Sequence, residues 1–96
     1  MATLIDLIES GLISPDSELI WKKAGSPVTY RAKIVSDGRI VTDDGVIHES
    51  LSTAACHVNG GVSTNGWRVW RDAVTLKKLD EIRTTYLKIE NGESVS

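Results

Sequence analysis

The stretch LIWKKAGSPVTYRAKIVSDGRIVTDDGVIH, residues 19–48, decides the fold. Leu19 and Trp21 alternate with Ile20 and Lys22, the two-residue period of a strand. Ala24-Gly25-Ser26-Pro27 turns the chain into a run from Val28 to Val35. In that run Val28, Tyr30, Ala32 and Ile34 share one face, and Thr29, Arg31, Lys33 and Val35 share the other. Asp37-Gly38 is a hairpin signal leading into Arg39-Ile40-Val41-Thr42, and Asp43-Asp44-Gly45 turns into Val46-Ile47-His48. Four short strands joined by tight turns predict an antiparallel meander, because the connections are too short for the helical crossovers of a parallel sheet. Trp21 is expected in the core, where a large aromatic buries most area.

Helical signals flank the meander on both sides. Thr3 followed by Asp6 is a capping-box-like start, and Leu4, Ile5, Leu7 and Ile8 supply an apolar face that Gly11 terminates, giving a helix over 4–10. Ser50 caps a short middle helix over Leu51–Val58, with Thr53 three residues on and Asn59-Gly60-Gly61 ending it. Asn65-Gly66 is a further turn signal, and Trp67-Arg68-Val69-Trp70 has β propensity. Strand alternation would put the two indoles on opposite faces, Trp70 in the core and Trp67 toward a partner. Thr75 can cap a C-terminal helix over 75–90 in which Leu76, Leu79, Ile82, Tyr86 and Ile89 form a stripe. Asn91-Gly92 should end it, with 93–96 a frayed tail. The expected architecture is α+β: one domain over residues 1–96, a meander of four to five strands packed with an N-terminal, a short middle and a C-terminal helix.

Composition narrows the function classes. The chain has 96 residues, 41% apolar and 25% charged, the balance of an ordinary globule with one core. Its apolar runs are far shorter than a membrane span, so a cytoplasmic protein is expected. Cys56 is the single cysteine, which excludes an intrachain disulfide and leaves zinc short of sulfur ligands; a half-buried structural thiol is expected. His48 and His57 stand nine apart without a third ligand at a metal spacing, and Asp43-Asp44 belongs to a turn rather than a cleft. No nucleotide-binding glycine motif or Ser-His-Asp signature occurs. Neither cofactor nor catalysis is called for.

The net charge of −2 conceals a block pattern. Residues 21–40 carry Lys22, Lys23, Arg31, Lys33 and Arg39 against Asp37, and residues 67–79 carry Arg68, Arg71, Lys77 and Lys78 against Asp72, while the other segments are acidic. If the fold joins the two blocks, they make a basic face suited to phosphate.

The run Leu51-Ser52-Thr53-Ala54-Ala55, then Gly60-Gly61, then Asn65-Gly66-Trp67 with Trp70, resembles the RAMA domain, the module associated with restriction enzymes and adenine methylases. Upstream, Leu4-Ile5-Asp6-Leu7-Ile8, Gly11-Leu12-Ile13, Leu19-Ile20-Trp21, Arg31-Ala32-Lys33-Ile34 and Asp37-Gly38-Arg39-Ile40 extend the resemblance in order, so that it covers a core of about residues 3–71. The chain is also similar to the DNA-binding C-terminal domain of some adenine methyltransferases. Val69 departs from the pattern, since an aromatic is common there. The resemblance implies a non-catalytic DNA-binding module, linked to restriction-modification and in several contexts reading methylated bases such as N6-methyladenine.

Two readings follow. In the first, Lys22, Lys23, Arg31, Lys33, Arg68 and Arg71 hold phosphates, and Ser50 and Ser52 at a helix N-terminus position the backbone. Asn65, Gly66 and Trp67 then read the base from a loop tip, the amide on an adenine edge and the indole by stacking. In the second, the C-terminal helix and an exposed tryptophan form a protein-interaction or homodimer surface.

Overall fold

A computed structural model describes residues 3–90 and Gly92. The ends expected of the last helix and the tail, Asn91 and 93–96, lie outside the described residues. Helix α1 spans Leu4–Glu9, and its capping box forms as the sequence predicts: the Thr3 hydroxyl accepts from the Asp6 amide, and the Thr3 amide donates to the Asp6 carboxylate at 2.8 Å. Four strands follow, β1 (Glu18–Lys22), β2 (Thr29–Ile34), β3 (Ile40–Thr42) and β4 (Ile47–His48), then α2 (Leu51–Val58), α3 (Gly66–Val69), β5 (Arg71–Asp72) and α4 (Leu79–Glu90). The five strands form one antiparallel sheet in the order β4-β3-β2-β1-β5, which is the predicted meander with β5 added at the β1 edge. At the β2–β3 turn Gly38 takes φ 88°, and the flanking ladder closes through the Val35 amide and the Arg39 carbonyl at 2.8 Å.

Alternation along the strands gives the sheet an inner and an outer face. Leu19, Trp21, Ala32, Ile34, Ile40 and Thr42 point inward and are buried against Leu4, Leu7, Leu51, Ala54, Ala55, Trp70, Leu79 and Ile82 from the helices. Burying each large aliphatic side chain stabilises the fold by about 1.5–3 kcal/mol. Trp21 sits in the core as expected, 5.2 Å from Tyr30 and edge-on to Trp70 at 6.1 Å. Among the described residues no helix is long and apolar enough to cross a membrane.

Two expectations need correction. Residues 67–70 are not a strand: Gly66–Val69 is a helical turn, and Asn65 is its N-cap, with extended backbone and its side-chain oxygen accepting the Trp67 amide at 3.1 Å. The expected division of the indoles holds for another reason. Trp70 is the residue that ends the turn, and its extended backbone carries its side chain into the core with no exposed surface, while Trp67 inside the turn stays partly exposed. The C-terminal helix begins at Leu79 and not at 75–76, because Asp72 accepts the Val74 and Thr75 amides and residue 71 bridges to residue 78 in antiparallel fashion. Leu76, read as the first residue of the apolar stripe, is in the loop with φ 64°.

Candidate nucleic-acid interface

Residues directly opposite in an antiparallel ladder share a face. The pairs Lys22 with Thr29, Ile20 with Arg31, Ile20 with Arg71, Glu18 with Lys33, and Arg71 with Lys78 therefore place Lys22, Arg31, Lys33, Arg71 and Lys78 together on the outer face, around a central Ile20. Strands lie about 4.8 Å apart and alternate residues about 6.7 Å along a strand, so the five cations form a grid rather than a line. Ile20 is buried although it points away from the helices; its ladder partners Arg31 and Arg71 have long stems of the kind that lie along apolar surface while the charged heads stay in water. Among the described residues the ion pairs are Arg39 with Asp37, His57 with Asp44 and Arg83 with Asp80, so none of the five sheet cations is in one. Glu18 and Asp43 temper the charge at one end, where they line a shallow depression of about 480 Å³ with Arg31 and Lys33. The fold thus joins parts of the two basic blocks. Lys78, counted in the second basic block but expected on the C-terminal helix, reaches the sheet face through its bridge to Arg71.

The second half of the expected site lies in the helical layer, on the other side of the sheet. Ser50 caps α2, its hydroxyl accepting the Thr53 amide at 3.1 Å while the Ser50 amide donates to the Thr53 hydroxyl at 3.1 Å. Ser52 holds α3 to α2, its hydroxyl accepting the Gly66 amide at 3.0 Å. Gly66 is buried against that backbone: a Cβ there would stand 2.1 Å from the Leu51 carbonyl carbon. The close approach that glycine permits is therefore to Leu51. Asn65 is exposed and keeps its side-chain N–H₂ free of the cap.

Trp67 and Ser50 line one cleft of about 410 Å³, together with Leu51, Ile5, Arg39, Glu49 and Arg83. The Arg83 guanidinium lies 4.3 Å from the centre of the Trp67 ring and donates to Asp80 at 2.9 Å, so it covers part of the indole expected to be free. A guanidinium plane on an indole is itself a surface on which a base can stack. Arg39, counted in the first basic block, and Arg83, which the sequence reading missed, meet in this cleft because tertiary packing brings the β2–β3 turn and α4 to α2. Arg68 is exposed on α3, apart from the sheet grid. Lys23 is half-buried, and its ammonium donates to the Asn59 side chain at 2.6 Å, a structural tie between the end of β1 and the end of α2.

A titratable cluster sits at the β3–β4 turn. The rings of His48 and His57 are 4.7 Å apart, the Thr42 hydroxyl meets His48 Nε2 at 3.2 Å and donates to Asp44 at 2.5 Å, and His57 Nε2 meets Asp44 at 2.6 Å. The Thr42 hydroxyl, and then His57, hold the Asp44 carboxyl below the usual carboxylate range. Burial, and then His57, push His48 below the ordinary histidine value. Among the described residues no group of three His, Cys, Asp or Glu is arranged to hold a metal. Cys56 is a free, half-buried thiol.

These features define a small α+β domain whose helices cover one face of a five-stranded sheet and whose other face is open and cationic. The chain belongs to the RAMA family, Restriction Enzyme Adenine Methylase Associated, whose family model matches residues 1–92, nearly the whole length. By that description it is an accessory domain of restriction and adenine-methylation systems. No match to the chain was found among curated proteins.

Proposed function

We propose that this domain is a non-catalytic DNA-binding module that serves restriction-modification, with the outer sheet face holding phosphates. The observation that carries this reading is the grid of Lys22, Arg31, Lys33, Arg71 and Lys78, unpaired with acids among the described residues, on a protein whose net charge is −2. Net repulsion from a polyanion would otherwise oppose binding, so the affinity is local and falls steeply with salt. The finer part of the proposal is that the cleft of Trp67, Ser50 and Arg83, on the helical side of the sheet and with Asn65 nearby in sequence, reads a methylated or otherwise modified base such as N6-methyladenine on a part of the DNA other than the one the grid holds. Cytoplasmic location belongs to the same proposal. Mobility shifts at two salt concentrations with single-stranded, duplex and N6-methyladenine-bearing duplex DNA test it. Salt-sensitive binding and a preference for the modified duplex are expected; salt-insensitive or absent binding removes the proposal.

A second reading rests on α4, where Ile89, 52% exposed, continues the stripe of Ile82 and Tyr86 to the end of the helix. An apolar helix surface of this kind suits a protein partner or a second copy of the chain. Sedimentation across a concentration series separates the two, since a dimer of this origin persists at high salt.

A further inference from the structure

Between β5 and α4 the chain folds into a knuckle in which almost every turn has a hydrogen bond. Asp72 Oδ1 accepts the Val74 amide at 2.8 Å and the Thr75 amide at 3.1 Å, and the Leu76 amide donates to the Asp72 carbonyl at 2.8 Å. The Asp72 amide donates to the Lys77 carbonyl at 3.0 Å, and the Arg71 guanidinium to the Leu76 carbonyl at 2.9 Å. This network holds Leu76 at φ 64°, a left-handed conformation in which a side chain is disfavoured and where glycine or asparagine would fit without strain. The side chain gains nothing from the core in return: Leu76 is 53% exposed, and Val74 is 90% exposed. Val74 thus stands in solvent and Leu76 about half in it, on a hydrogen-bonded base and with Leu76 at a strained position.

The surroundings indicate what they meet. Lys77 follows Leu76 directly, and the Arg71–Lys78 bridge places those two cations in the same row as Ile20 and Arg31. The knuckle is therefore the edge of the cationic sheet face, apolar at its tip and basic behind it. Duplex DNA has the complementary order, with phosphates outside and stacked apolar faces within, and apolar side chains that enter a groove part base steps there. Two side chains are too little apolar surface to hold a membrane without further insertion, and the continuous row of cations matches a polyanion rather than an apolar protein groove. We infer that the Val74–Leu76 knuckle is a wedge that inserts at a base step and unstacks it while the sheet grid holds the flanking phosphates. This inference rests on the DNA-binding reading given above and adds to it a deformation of the duplex.

The test uses the full chain and the pair Leu76→Gly with Val74→Ser. Glycine accepts the left-handed φ, so the variant keeps or raises the thermal midpoint, which separates loss of the wedge from loss of the fold. Duplexes carrying 2-aminopurine at successive positions report unstacking by increased fluorescence, and a donor and acceptor at the duplex ends report bending. The wild type is expected to raise the fluorescence at a single step and shorten the end-to-end distance. The variant is expected to lose both signals and about tenfold in affinity while its salt dependence stays unchanged, because the cations remain. Wild-type protein that binds with the expected salt dependence but unstacks no step overturns the wedge alone. So does a variant that unstacks and bends as the wild type does. Wild-type protein that fails to bind duplex DNA overturns the DNA reading, and the wedge with it.

Discussion

The indole N–H of Trp70 donates to the main-chain carbonyl of Leu51 at 3.1 Å inside the core, where Trp70 has no exposed surface. One side chain therefore both fills the space between sheet and helices and fastens the end of α3 to the start of α2. Trp70→Phe keeps an aromatic ring but removes this tie and some volume, leaving the Leu51 carbonyl only the amide of its own helix. Unfolding in urea should show a loss of about 1–3 kcal/mol, and a loss below about 0.5 kcal/mol would mean that the bond adds nothing to the packing of the ring.

Gly66 meets the same segment. Its added Cβ would lie 2.1 Å and 2.2 Å from the Leu51 carbonyl carbon and oxygen, atoms of main chain that cannot rotate away. Gly66→Ala should cost about 1–3 kcal/mol or more by thermal unfolding and should also weaken the Trp70 bond. A neutral effect would show that α3 can lift off α2 without penalty.

Asn65 has two chemically separable ends. Its oxygen caps α3 by accepting the Trp67 amide, and among the described residues its N–H₂ has no partner, which leaves it to an acceptor on a base. Asn65→Asp retains the capping oxygen and places a negative charge at a helix start, so its thermal midpoint should hold, whereas Asn65→Ala should lose about 1 kcal/mol. If the amide reads DNA, Asn65→Asp also loses affinity at an unchanged midpoint. Full affinity would limit Asn65 to capping.

The closeness of His48 to His57 makes stability depend on acidity in a defined direction. Burial, and then His57, hold His48 below its ordinary 6.5, so the unfolded chain binds the proton better and stability falls as pH drops through about 6.5. Asp44 is held below its ordinary 3.8, so its contribution is complete above that value and is lost only in stronger acid. The urea midpoint should therefore decline as the pH is lowered past 6.5, and His48→Gln should flatten that decline while leaving the stronger-acid limb in place. A decline that survives His48→Gln would assign the proton to another group.

The elements legible in the sequence were those whose signals are local. Alternation in residues 19–48, the Thr3–Asp6 and Ser50–Thr53 boxes and the turn glycines each act within a few residues, and the meander, α1 and α2 follow them closely. The misread segments were decided by bonds that periodicity does not show, some to nearby main chain and some to partners distant in sequence. Trp67 to Trp70 have strand propensity, but Asn65 capping and the Gly66 approach to Leu51 hold residues 66–69 helical. The apolar period from Leu76 onward is real, yet Asp72 ties its own loop and delays the helix to Leu79. Among site residues, Arg31 and Lys33 were visible as neighbours on one strand face. Arg71 and Lys78 joined them only through pairing of β5, and Arg83 reached Trp67 only through helix packing.

Phosphate binding by the outer sheet face is tested most directly by the salt dependence of duplex affinity. Arg31 and Lys33 are exposed and, among the described residues, take part in no ion pair, so Arg31→Gln with Lys33→Gln, which removes the charges and keeps side-chain stems beside Ile20, should leave the thermal midpoint unchanged. The plot of log affinity against log salt should become shallower by about 0.9 for each phosphate that is no longer neutralised, close to two for the pair. An unchanged slope in a folded variant would contradict the assignment of the phosphates to this face.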